Sequence, residues 1–116
     1  MVINQGDIFW VNLDEPIGSE PGYQRPFVVI QKNILNHSQI NTVLGCPITS
    51  NLKRANDLGN VLLNKGEANL PKQSVVNVSQ TIATDKFFCV TKIGTLSQQR
   101  VQEIVNGLRS ITHPTW

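Results

Sequence analysis

Charge is scarce in this 116-residue chain. Asp, Glu, Lys and Arg together make up 16% of it, and the formal net charge at pH 7 is only +2. The strong basic excess that marks many nucleic-acid binders is missing, so charge alone announces no polyanionic partner. Aromatic residues amount to 6%, few for the aromatic-lined groove through which small binding modules take up peptides. No apolar run approaches the ~20 residues that span a bilayer. The start, Met1 to Asp7, lacks the basic head and continuous apolar stretch of a secretory signal. The two cysteines, Cys46 and Cys89, have neither metal-ligand nor redox spacing, and Cys46 lies in an apolar run where a buried thiol is expected. Asp, Glu, His and Cys nowhere gather at ligand spacing, so neither a metal nor another cofactor is expected. Together these absences point to a cytoplasmic protein that does its chemistry with its own side chains.

What is present reads as one globular domain over residues 1–116, with 40% apolar residues to build a single core. Gly6-Asp7 opens a strand, Ile8 to Leu13, rich in β-branched and aromatic residues. A loop from Asp14 to Arg25 follows, longer than most hairpin connections and for that reason a functional candidate. Pro26 is expected to start the next strand, with Phe27 to Ile30 buried. Lys32 to Gln39 reads as a loop with a short helical turn, and Thr42 to Thr49 as a third strand in which Pro47 marks a bulge or an edge. Asn51 to Asn60 is a polar, basic loop. Val61 to Leu63 and Ser74 to Val78 are further strands, Gln80 to Lys86 either continues the sheet or turns away, and Cys89 to Gly94 is a last apolar or turn segment. Then the period changes. Leu96, Val101, Ile104, Val105, Leu108 and Ile111 follow helical spacing, with Ser97 available as N-cap. Several short strands before one terminal helix predict a small, mostly antiparallel β-barrel with a C-terminal helix laid on it.

Three segments in order resemble the MazF/PemK toxins. The first runs from Gly6 through Leu13 to Gly18-Ser19-Glu20 and on to Gly22-Tyr23-Gln24-Arg25-Pro26-Phe27. The second is Cys46-Pro47-Ile48-Thr49-Ser50. The third is Ser74-Val75-Val76-Asn77-Val78-Ser79-Gln80, followed by Asp85-Lys86 and Lys92-Ile93-Gly94. The resemblance implies an SH3-like barrel of the plasmid-maintenance toxin type, acting as a homodimer. It implies sequence-preferring cleavage of single-stranded RNA that leaves a 2′,3′-cyclic phosphate and a 5′-hydroxyl. It also implies a cognate antitoxin whose disordered tail occupies the RNA groove. Ser79 stands where some members have Glu, and Thr84-Asp85-Lys86 where they have Ile-Asp-Lys. Both positions sit where the groove meets bases, so a relative's preferred RNA sequence does not carry over.

Such cleavage uses the RNA's own 2′-hydroxyl as nucleophile, and the protein must stabilise charge on the phosphorane and manage two protons. His37, in a polar loop, and His113, near the C-terminus, are expected at the surface. Arg25 is the leading catalytic candidate: a planar guanidinium donates two parallel hydrogen bonds to phosphate oxygens and stays charged. That suits electrostatic stabilisation of the transition state; as a proton acceptor, a group with pKa above ~12 is poor near neutrality. Thr49, at a strand end, is the second, donating its hydroxyl to a nonbridging oxygen, a role assigned through the resemblance. Glu20 is the third, as a base, as an orienting partner of Arg25 or as a solvated loop acid. RNA also needs base readers and phosphate contacts. Ser19, Asn33, Ser79 and Gln80 are candidates for the former, with turn chemistry as the competing role of Asn33, and Lys53 and Arg54 for the latter. Trp10 is expected to pack in the core or an interface. Competing readings are a same-fold poison of DNA gyrase, an SH3-like binding module, and a degenerate toxin that binds antitoxin without cutting. Arg25-Pro26 with Thr49-Ser50 favours the nuclease, whose chemistry needs both phosphate-facing groups.

Overall fold

The computed structural model describes residues 2–12 and 24–115. The long loop's residues 13–23, which include Ser19, Glu20 and Tyr23, lie outside them. Among the described residues seven strands run β1 (Asp7–Asn12), β2 (Gln24–Val29), β3 (Thr42–Thr49), β4 (Val61–Leu63), β5 (Ser74–Val76), β6 (Ile82–Asp85) and β7 (Thr91–Thr95). A short helix, α1 (Asn33–Asn36), follows β2, and a long one, α2 (Gln98–Thr112), closes the order. The strands associate in the order β4-β5-β3-β2-β1-β7, with β6 paired to β3 off that path. The strand pairings among the described residues are antiparallel, giving an open half-barrel with a C-terminal helix.

Strands β1 and β2 read as near-continuous apolar runs because both their faces are covered. Ile8 and Val28, paired across β1 and β2, face one cluster with Cys46, Ile48, Leu63, Val76 and Ile104 of α2. The alternate residues Phe9, Val11, Phe27 and Val29 face a second cluster closed by Ile3, Val43 and Cys89. Helix α2 follows the expected period. Ser97 caps it by accepting the Arg100 N–H at 3.2 Å, and Val101, Leu108 and Ile111 pack beside Ile104 on the first cluster. Among the described residues no helix is long and apolar enough to cross a membrane.

Three details differ from the sequence expectation. β2 begins at Gln24, so Arg25 and Pro26 are strand residues paired with Val11 and Trp10. The ladder from β2 to β3 starts only at Phe27, which leaves room at Pro26 for the missing N–H. Pro47 is neither at an edge nor at a bulge. It is buried opposite Phe27, at the point where the other side of β3 passes from β6, paired through Gly45, to β5, paired from Ile48. A proline fits that change of partner, and its carbonyl accepts the Asn77 N–H at 2.9 Å. Finally, β5 stops at Val76. The Val78 N–H is taken by Asn60 Oδ1 at 2.8 Å, and residues Val78–Gln80 turn as a 3-10 helix before β6 resumes pairing with β3.

Candidate active site

The β2–β3 register brings the candidate pair together. Phe27 lies opposite Pro47 and Val28 opposite Cys46. Continued by two residues, the same register sets Arg25 level with Thr49, while Val11 of β1 is paired with Arg25 and Val75 of β5 with Thr49. At these strand ends opens a cleft of about 400 Å³ lined by Trp10, Gln24, Arg25, Pro26, Ile48, Thr49, Ser50, Leu70, Pro71, Lys72 and Ser74. Its described lining carries two cations, Arg25 and Lys72, three hydroxyls and no carboxylate. Such a wall attracts an anion and offers hydrogen-bond donors to it.

Thr49 is half-buried, and its Oγ1 accepts the Asn51 N–H at 3.1 Å. That bond occupies an acceptor site of the hydroxyl and leaves its proton to be donated, as binding to a phosphate oxygen requires. Asn51 in turn caps the 3-10 turn Leu52–Asn56 by accepting the Lys53 N–H at 3.2 Å. Lys53 and Arg54 therefore leave the strand end in a fixed direction, exposed, although neither lines the cleft. Arg54 pairs with Asp57 at 3.4 Å, with both side chains about half exposed. Asn60 ties this turn to the next by donating to Arg54 O at 3.0 Å while holding Val78 N–H. Ser79 and Gln80 are exposed on that second turn, outside the cleft lining.

Asn33 is used differently. Its Oδ1 accepts the Gln5 N–H at 2.6 Å and the Asn36 Nδ2–H at 3.2 Å, fastening α1 to the N-terminal segment away from the cleft. The structure thus gives its side chain the competing turn role. His37 is exposed and contacts Asn4 Oδ1 at 2.9 Å, and His113 is exposed beyond α2. Burial pushes the Cys46 thiol up to about 11 against the lowering hydrogen bond from Thr81, and burial with nearby Asp85 pushes Cys89 to about 11. Neither thiol lines the cleft. Among the described residues no three His, Cys, Asp or Glu side chains gather as a metal site would require.

Among the cleft residues that the sequence did not single out as site residues, Trp10 and Lys72 stand out. Trp10 carried a weak signal, since it is one residue from Val11, the partner of Arg25, and faces Pro26 directly. Lys72 carried none, because the turn that brings it to the cleft depends on backbone geometry between β4 and β5. A second hollow, of about 870 Å³, lies against Val2, Ile3, Phe87 and Val90. It is larger but holds neither Arg25 nor Thr49, and its Lys86 ammonium is spent on the carbonyls of Leu35 and Ser38.

Residues 4–112 match the family described as PemK-like, MazF-like toxin of type II toxin–antitoxin system. Endoribonuclease MazF2 of Mycobacterium bovis is 37% identical over 111 residues, covering 96% of this chain and 97% of that protein. Endoribonuclease MazF6 of Mycobacterium tuberculosis matches to the same extent. Among solved structures, the MazE–MazF crystal structure (Form-II) from Deinococcus radiodurans superimposes with a TM-score of 0.79 at 20% identity, covering 99% of both chains. Toxin MazF-mt6 of Mycobacterium tuberculosis does so with a TM-score of 0.76 at 17% identity, covering 95% of this chain and 99% of that one.

Proposed function

The chain belongs to the PemK-like, MazF-like toxin family of type II toxin–antitoxin systems, and on that premise we propose that it is a metal-independent endoribonuclease that cuts single-stranded RNA by attack of the 2′-hydroxyl on the adjoining phosphate. The observation that carries the reading is that Arg25 and Thr49 line one cleft at the ends of β2 and β3, and that the cleft's described lining has no carboxylate. A phosphodiester seated there meets a permanently charged guanidinium and a hydroxyl whose proton is free to be donated.

As the 2′-oxygen bonds to phosphorus, negative charge grows on the nonbridging oxygens. Arg25 and Thr49 are fixed on paired strands, so they stabilise that charge without reorganising. Breaking the bond to the 5′-oxygen then gives a 2′,3′-cyclic phosphate and a 5′-hydroxyl. Glu20 is proposed to serve beside Arg25, as proton acceptor or orienting partner. Ser19, Ser79 and Gln80 are proposed to read bases; Lys53 and Arg54 are proposed to follow the phosphates. A solved structure of similar fold is an endoribonuclease from Mycobacterial species in complex with its cognate antitoxin, which supports an antitoxin partner, here proposed to compete for the same groove. A homodimer working in the cytoplasm completes the proposal.

The test is incubation of the purified protein with mixed single-stranded RNAs in EDTA, with the new ends mapped and Arg25→Ala run in parallel. Cyclic-phosphate ends made by the parent and lost in the variant are expected. Intact RNA in the presence of folded parent protein would refute the activity and favour a gyrase poison or a degenerate toxin.

A further inference from the structure

The cleft holds a second cation whose placement the fold secures as firmly as that of Arg25. Lys72 lies two residues before β5, and the β3–β5 register, Thr49 opposite Val75, brings that approach alongside the end of β3. Several other cations are committed elsewhere: Lys92 to Asp7 at 3.1 Å, Arg54 to Asp57, and Arg100 to Glu67 at 2.7 Å. Lys86 is held by backbone carbonyls. Among the described residues no carboxylate pairs with Lys72, and its ammonium is exposed beside the cleft.

The backbone that delivers it is unusual. Gly66, Ala68 and Asn69 have φ of 85°, 49° and 64°, all in the left-handed region that non-glycine residues avoid. Such strain persists only where surrounding contacts over-determine it, and it concentrates at functional positions. Here the contacts are explicit. Glu67 is held by Arg100 of α2 through two hydrogen bonds, at 2.7 and 3.1 Å, and itself accepts the Asn64 N–H at 3.0 Å. Asn69 Nδ2 donates to Ile93 O of β7 at 3.0 Å. Pro71 stiffens the next step, and the buried Ser74 donates its hydroxyl to the Lys72 carbonyl at 2.8 Å. A strained loop clamped from both sides ends on an unneutralised cation at the rim of an anion-attracting cleft.

We propose that Lys72 is a second phosphate-binding residue of the cleft, holding the RNA backbone phosphate next to the one at Arg25 and Thr49. The assignment rests on the endoribonuclease reading and deepens it. Lysine acts here as a mobile point charge, suited to positioning the strand rather than to the bidentate stabilisation that arginine supplies.

The experiment measures binding apart from cutting. A mixed-sequence 2′-O-methyl RNA pool, which lacks the nucleophile, is titrated with protein at several KCl concentrations and read by fluorescence anisotropy, while cleavage of ordinary RNA is followed in parallel. Lys72→Gln is expected to lower the log–log salt slope by ~0.7, the share of one phosphate contact on a single strand. It should also raise Kd several-fold, whereas Lys72→Arg keeps the parental slope. Lys65→Gln removes an equal charge outside the cleft lining and should leave both quantities unchanged. A parental slope in a folded Lys72→Gln protein, or an equal loss in Lys65→Gln, would overturn the assignment. If the parent still cuts and Arg25→Ala does not, the endoribonuclease reading survives that failure; if the parent neither binds nor cuts RNA, both fall together.

Discussion

At the scale of single residues, Thr49 gives the sharpest test of the proposed chemistry. Its oxygen accepts the Asn51 N–H, which uses an acceptor site and leaves the hydroxyl proton to be donated. Thr49→Ala removes that donor but little packing, since the side chain is only half-buried. A fall in the cleavage rate of ~10²–10³ is expected, as for loss of one oxyanion donor. The melting temperature should stay close to the parent's, and Thr49→Ser should restore much of the rate. A folded Thr49→Ala protein that cuts normally would remove Thr49 from the mechanism. That Arg25 and Thr49 would share one cleft was legible because each sits beside a proline or serine in a recognisable run. Asn33 kept both roles open in the sequence for a physical reason: an asparagine at a turn satisfies backbone donors as readily as it reads a base, and here it takes Gln5 N–H. Lys72 was illegible since nothing in its neighbours' identities announces left-handed backbone at Ala68 and Asn69.

At the scale of elements, α2 is the clearest case of a sequence announcing its structure, through the period from Leu96 to Ile111 and the Ser97 cap. Gly107 within it breaks the pattern, because a mid-helix glycine costs ~1 kcal/mol relative to alanine. The structure supplies the reason. The turn at Gly59, itself at φ 85°, lies against the helix there, and a Cβ on Gly107 would meet the Gly59 carbonyl oxygen. Gly107→Ala is therefore expected to destabilise the fold by ~1–3 kcal/mol despite its better helix propensity, as overpacking does. Thermal melting decides it, and a stabilised variant would mean that the turn can retreat. The existence of β1 to β3 was read well because their buried runs are long, although the start of β2 and the place of Pro47 were not. The strands were read poorly after Val76, where side-chain bonds from Asn60 replace the ladder and no period survives to be seen.

At the scale of the whole molecule, two clusters on opposite faces of the β1–β2–β3 sheet hold the frame, and ion pairs tie its periphery. The Arg100 guanidinium holds the Glu67 carboxyl below its ordinary value of 4.5. A carboxyl lowered in the folded state lends stability above its unfolded value and loses it as the pH falls through the folded one. Glu67→Gln is accordingly expected to cost about 1.5–3 kcal/mol at neutral pH, a charged hydrogen bond's typical contribution. The gap to the parent should close progressively below pH 4.5. Urea unfolding at a series of pH values measures this, and a gap independent of pH would show that the carboxylate charge is irrelevant.

Strand β3 pairs with β2, β5 and β6, more neighbours than any other strand of the described fold, and it carries Thr49 at its end. The exposed side chains around the cleft, at 53–54 and 79–80, hang instead from turns. A lineage built this way can retarget itself. On the proposed roles, turn residues drift under selection while the strand that bears Thr49 is held still by its pairings, so new RNA preferences would arise without the chemistry having to be reinvented.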